Sequence, residues 1–144
     1  MTSFSFAMSE AKTWKNTAKE LAVSLTPYVK QKHTEKLGWL YITDDLASDF
    51  QNILNYLRES TGISNWVGSV GMGVCWLDGT GKSGEAFGRT ASIAMTSEHP
   101  TDSYRILSKL GKSTLEIPQN TRHWMDSSPP PFGVIHGDPM NANI

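Results

Sequence analysis

Asn65-Trp66-Val67-Gly68-Ser69-Val70-Gly71-Met72-Gly73-Val74-Cys75-Trp76-Leu77-Asp78-Gly79 is the stretch on which the reading of this chain turns. Its apolar and β-branched residues have the character of a strand, yet glycines interrupt it at 68, 71 and 73, and Asp78-Gly79 closes it in a turn. Glycine inside a strand has no side chain to pack and loses more backbone entropy than other residues. Three so close together imply that something approaches this backbone: a ligand, a crossing helix or a neighbouring strand.

Upstream of it, two helices alternate with two strands. Phe4-Ser5-Phe6-Ala7-Met8 alternates and predicts a short first strand. Ser9 is placed to cap a helix whose apolar positions, Ala11, Trp14, Ala18, Leu21, Ala22 and Leu25, recur at threes and fours; Pro27 opposes its continuation. Leu37-Gly38-Trp39-Leu40-Tyr41-Ile42-Thr43 is apolar without polar alternation, the pattern of a strand covered on both faces, as in a sheet between helices. Asp44 or Asp45 is the expected cap of a second helix, with Leu46, Phe50, Ile53, Leu54 and Leu57 buried and Gly62 as its stop. The first seventy residues therefore read β-α-β-α-β.

Downstream, Asp78-Gly79-Thr80-Gly81-Lys82-Ser83-Gly84 is a glycine-rich loop, and residues 86–95 are expected to return as an antiparallel strand. A short strand is expected around Tyr104-Arg105-Ile106-Leu107, a helical turn over Thr121 to Met125, and a buried strand at Phe132-Gly133-Val134-Ile135-His136 after the stiff Pro129-Pro130-Pro131. The fold class is α/β, with α+β as the variant: a mixed sheet flanked by helices, followed by an antiparallel hairpin. Asn141-Ala142-Asn143-Ile144 carries residues suited to cap a helix, so the expectation is a partial domain with further elements and a C-terminal domain beyond it.

Composition bounds the function. With 144 residues, 38% hydrophobic and 19% charged, the chain has the make-up of one globular domain with a core. A net charge of −1 offers no broad attraction to phosphate backbones or anionic lipid, so neither nucleic acid nor membrane is an expected partner. Cys75 is the only cysteine, which excludes an internal disulfide and fits a reducing, cytoplasmic setting. The N-terminus lacks a basic and apolar leader pattern, and no apolar run approaches membrane-helix length.

Several short motifs imitate catalytic ones. Gly79-Thr80-Gly81-Lys82-Ser83 resembles the end of a phosphate-binding loop, but Trp76 stands where its first glycine belongs and Gly84-Glu85 where a helix would start. Gly68, Gly71 and Gly73 reverse the dinucleotide-binding spacing, and no helical pattern follows to receive a pyrophosphate. His136-Gly137-Asp138-Pro139-Met140-Asn141-Ala142-Asn143 is similar to the catalytic loop of aminoglycoside and choline kinases, with Asp138 as base and Asn143 for magnesium. The upstream glycine-rich loop and lysine-bearing strand of such kinases are missing. His33, His99, His123 and His136 show no paired metal spacing. A single cysteine between Val74 and Trp76 reads as a small buried hydrophobe.

Taken together, Asn65 to Cys75 with the glycine loop and small-residue strand after it, Val134-Ile135-His136-Gly137-Asp138-Pro139, and the opening Phe4-Ser5-Phe6-Ala7-Met8-Ser9 resemble, in order, the N-terminal FIST domain. The resemblance implies a sensory, signal-transduction domain that binds a small ligand such as an amino acid, with no catalytic residues and no cofactor. The phosphotransferase reading is the alternative, and a pure interaction module exposing an apolar docking patch is a third. On the sensory reading, Gly68, Ser69, Gly71 and Gly73 expose backbone groups to a ligand, His136 and Asp138 add charge at the sheet edge, and Arg89 offers its planar fork to a carboxylate.

Overall fold

The computed structural model describes residues 4–25, 33–107, 117–127 and 129–137. It forms two compact units, Met1–Thr101 and Asp102–Ile144. Among the described residues no helix is long and apolar enough to cross a membrane.

In the first unit the order is β1 (Phe4–Ser9), α1 (Trp14–Ser24), β2 (Thr34–Thr43), a 3-10 turn (Asp44–Asp49), α2 (Phe50–Thr61) and β3 (Asn65–Gly71). β4 (Gly73–Leu77), β5 (Ser83–Phe87) and β6 (Ser92–Pro100) follow. The β-α-β-α-β opening and the α/β class are as the periodicity predicts. β1, β6, β2 and β3 make one mixed sheet in that order, while β4 and β5 form a separate two-stranded hairpin. β2 and β3 run parallel across α2, and β6 lies antiparallel to both β1 and β2.

Period-two alternation sorts the strand residues between two faces. Ala7, Ala94, Leu40 and Gly68 stand in one row across the sheet. Ala7, Ala94 and Leu40 join Ile42 in the core under α1 and α2, which bring Ala18 and Leu21, and Ile53 and Leu57. Each large apolar side chain buried there is worth about 1.5–3 kcal/mol relative to exposure. The adjacent row, Met8, Ile93, Tyr41 and Ser69, belongs to the opposite face. On that face the indole Nε1 of Trp39 donates to Ser97 Oγ at 3.2 Å, and Ser97 Oγ lies 2.7 Å from His99 Nε2. Within this unit the second cover of the sheet is the β4–β5 hairpin, whose first strand contacts β2 and β6. A sheet between helices was the expectation from Leu37–Thr43; a hairpin takes the place of the second helical layer.

Local details depart from sequence expectation for identifiable reasons. Ser9 does not cap α1: it ends β1, accepts from the Ala11 N–H at 3.1 Å and donates to Glu20 at 2.6 Å, and the helix starts later, at Trp14. Asp44 and Asp45 enter a 3-10 turn that has no side-chain cap bond; Asp45 instead accepts from Thr90 Oγ1 at 2.8 Å. Gly62 does stop α2, in the left-handed conformation with φ of 71°. The opening stretch is two strands rather than one, because the chain bends at Met72 and passes from the sheet to the hairpin. The expected return strand over 86–95 is likewise split between β5 and β6.

The second unit holds α3 (Gln119–Ser127), longer than the expected turn. Arg105 pairs with Asp102 at 2.7 Å and lies over the Trp124 ring at 4.7 Å, and Trp124 Nε1 donates to the Asp102 carbonyl at 2.9 Å. Tyr104–Leu107 is not a strand, since Arg105 is drawn into this cluster and no second strand pairs with it among the described residues. Residues 132–136 are not a buried strand either: Phe132, Val134 and Ile135 are exposed and unpaired with any sheet. Pro27 and the chain beyond Gly137 lie outside the described residues.

Candidate functional site

Where the bend at Met72 carries the chain off the sheet, it leaves a cavity of about 350 Å³. Tyr41 and Ile42 of β2, Ser69 and Gly71 of β3, and Ile93 and Met95 of β6 form the sheet side; Gly73, Val74 and Cys75 of β4 form the other. Tyr41, Ile42, Ser69 and Gly71 sit toward the carboxyl ends of the parallel pair, the end at which ligands gather in α/β sheets. The volume is at the small end of the ~300–1,000 Å³ range of ligand pockets.

Polar capacity in the lining is modest. Ser69 brings a hydroxyl and Tyr41 a phenol. Burial pushes the Tyr41 phenol up from its ordinary value, so it stays protonated and neutral. β3 is an edge strand that pairs only with β2, so its outward peptide groups have no strand partner among the described residues. Among the described residues, no charged side chain lines the cavity.

Of the residues singled out from sequence, Ser69, Gly71 and Gly73 meet in this cavity. Gly68 does not. It faces the helices in the row with Leu40, at φ of 152°, and a Cβ there would stand 1.7 Å from the Leu40 carbonyl oxygen. Close strand packing, not a ligand, explains that glycine. Gly71 differs: its φ is not positive, and a Cβ would come no closer than 3.4 Å to Gly73 O. Arg89 is outside the lining; it is ion-paired with Glu10 and donates to the Glu85 carbonyl at 2.9 Å. His136 is half-buried in the second unit, apart from any regular element, and Asp138 and Asn143 lie outside the described residues.

Sequence reasoning missed Tyr41, Ile42, Val74, Cys75, Ile93 and Met95 as lining residues. Tyr41 carried a signal: a tyrosine between Leu40 and Ile42 must point away from the face those two share. Cys75 is exposed rather than buried, because the alternation of β4 turns it to the outer side of the hairpin with Leu77.

The glycine-rich loop is the solvated hairpin turn its breaker residues predict. Asp78 Oδ1 accepts from the Thr80 N–H, the Thr80 hydroxyl and the Lys82 N–H at 2.7–2.9 Å. Those bonds, led by the Thr80 hydroxyl, hold its carboxyl below the usual aspartate range. The side chain thereby serves its own turn. Among the described residues no group of three or more His, Cys, Asp or Glu gathers as a metal site.

The architecture defines the class: an α/β domain with a mixed sheet, helices on one face and a hairpin on the other. No protein-family model matches the chain, and no curated protein matches it.

Proposed function

We propose that this chain is a small-ligand-binding sensory domain acting in signal transduction in the cytoplasm, as its resemblance to the N-terminal FIST domain implies. The observation that carries the reading is the cavity bounded by Tyr41, Ser69, Gly71, Gly73 and Met95 at the carboxyl ends of β2 and β3. Bending the strand at Met72 opens that space, and Gly71 adds no side chain to its rim; Gly73 is set by its partner strand, since a Cβ there would stand 2.7 Å from the Ala86 carbonyl oxygen. The site needs no catalytic residue and no cofactor. Its partners are a small molecule and a C-terminal domain of the same protein. A ligand seated between the sheet and β4 would couple to the hairpin's position, which makes the hairpin the natural output element.

Titration calorimetry gives a direct test: heat is expected when a ligand fills the cavity. The panel is amino acids, small carboxylates and their neutral analogues at millimolar concentration. A folded sample that shows no heat with any of them sinks the reading.

One observation favours the interaction reading beside it. Met72, Leu77 and Phe87, about the hairpin, are 66–72% exposed, a set of apolar side chains suited to a docking partner. Sensing and docking are compatible roles for one hairpin.

A further inference from the structure

Resting on the cavity as the ligand site, we infer that its ligand is an electrically neutral small molecule with an apolar body and one amide or hydroxyl group, and not an amino acid or a carboxylate. The lining decides this. Val74, Ile93 and Met95 border the body of any occupant with hydrocarbon and thioether. Tyr41 and Ser69 are neutral donors and acceptors, and the burial-raised Tyr41 phenol keeps its proton.

A zwitterion or carboxylate seated against this lining would meet no opposite charge among the described residues, so any water its charged group sheds there is uncompensated. Arg89, the cation that sequence offered for a carboxylate, is engaged by Glu10 and Glu85 outside the lining. Backbone does not replace it. Anion sites on backbone are built from successive N–H groups pointing one way, as at helix N-termini and nests. No helix contributes to this lining. Hydroxyls that both donate and accept, as Ser69 carries, are complemented by an amide or by another hydroxyl. A volume of about 350 Å³ matches a body of about the size of a single ring or a short branched chain.

The experiment measures binding of matched probes by titration calorimetry: phenylacetamide and benzyl alcohol against phenylacetate and phenylalanine. It is run on the chain and on Gly71→Ala, whose added methyl enters the cavity wall without a backbone clash. Circular dichroism verifies that both are folded. The expected result is binding of the neutral probes at least tenfold tighter than of the charged ones, weakened at least threefold in Gly71→Ala. If the charged probes bind as well or better and Gly71→Ala weakens them, the cavity is the ligand site but the neutral class is overturned. Binding that Gly71→Ala leaves unchanged lies elsewhere and overturns the inference. No binding of any probe overturns both it and the function on which it rests.

Discussion

The two faces of the β1-β6-β2-β3 sheet are built from alternate residues of the same strands and have opposite fates. Leu40 and Ile42 point beneath α1 and α2 into a core where Leu21, Ile53 and Leu57 are fully buried. Tyr41, one residue along, points to the hairpin side, is only half-buried and borders a cavity. Two helices bring long apolar side chains at helical spacing and close the first face. A two-stranded hairpin brings one residue in two, and in β4 one of those inward positions is only Val74. A thin cover leaves space. The chain uses one side of its sheet for stability and has the other side available for a ligand.

Four substitutions probe that division. The largest effect is expected at Gly68, on the helix side. Gly68→Ala forces a Cβ against the Leu40 carbonyl at a φ of 152° and is expected to cost about 4 kcal/mol or more. Gly71→Ala, three residues on, meets only ordinary contacts and is expected within about 1 kcal/mol of the parent, helped by a less flexible unfolded chain. Urea denaturation compares them. Similar midpoints for the two would erase the distinction between a packing glycine and a cavity glycine.

Next comes truncation on each face. Leu40→Ala removes a fully buried side chain and is expected to cost about 2–5 kcal/mol, whereas Met95→Ala, half-buried beside the cavity, is expected to cost about 1–2 kcal/mol. Equal losses would mean that the hairpin side is as tightly closed as the helix side.

How much of this was legible beforehand follows the same line. Elements that carry their own periodicity were readable: α1 and α2 from apolar threes and fours, β2 from its unbroken apolar run, the end of α2 from Gly62. Strands whose existence depends on a partner were not. Residues 132–136 are as apolar as β2 yet form no strand, because strand character is largely a matter of pairing and packing. The bend at Met72 lay hidden in the opening stretch for the same reason, since glycines mark a departure from regular strand without saying which kind. Of the site, the glycine rim was visible at 71 and 73. Ile93 and Met95 were not, because their place beside Tyr41 depends on β6 inserting between β1 and β2.

A smaller effect, of opposite sign, is expected at Ser92. Its hydroxyl is buried and lacks a hydrogen-bond partner among the described residues, on the side of the sheet shared with Ala94. An unsatisfied buried hydroxyl is destabilising, so Ser92→Ala is expected to raise stability by about 1 kcal/mol. Thermal and urea unfolding of the variant check this. A loss would show that the hydroxyl finds a partner in solution, and that the helix side is wetter than its packing implies.

The smallest expected effect is the one that bears most directly on the site. Arg89 and Glu10 are both about half exposed, and pairs of that kind contribute about 0.2–1 kcal/mol, less as salt rises. Arg89→Gln is therefore expected to shift the urea midpoint barely at all and to leave calorimetric binding of neutral probes unchanged, because Arg89 is not part of the lining. Measured at low and high salt, the variant separates two roles for the same guanidinium. If it serves only as a tie to Glu10, the parent loses a few tenths of a kcal/mol with salt, the variant loses nothing, and probe binding is indifferent to both. If Arg89→Gln instead abolishes binding of carboxylates while stability holds, the arginine leaves Glu10 to meet a ligand. The hairpin side of the sheet would then acquire the charge that its lining lacks.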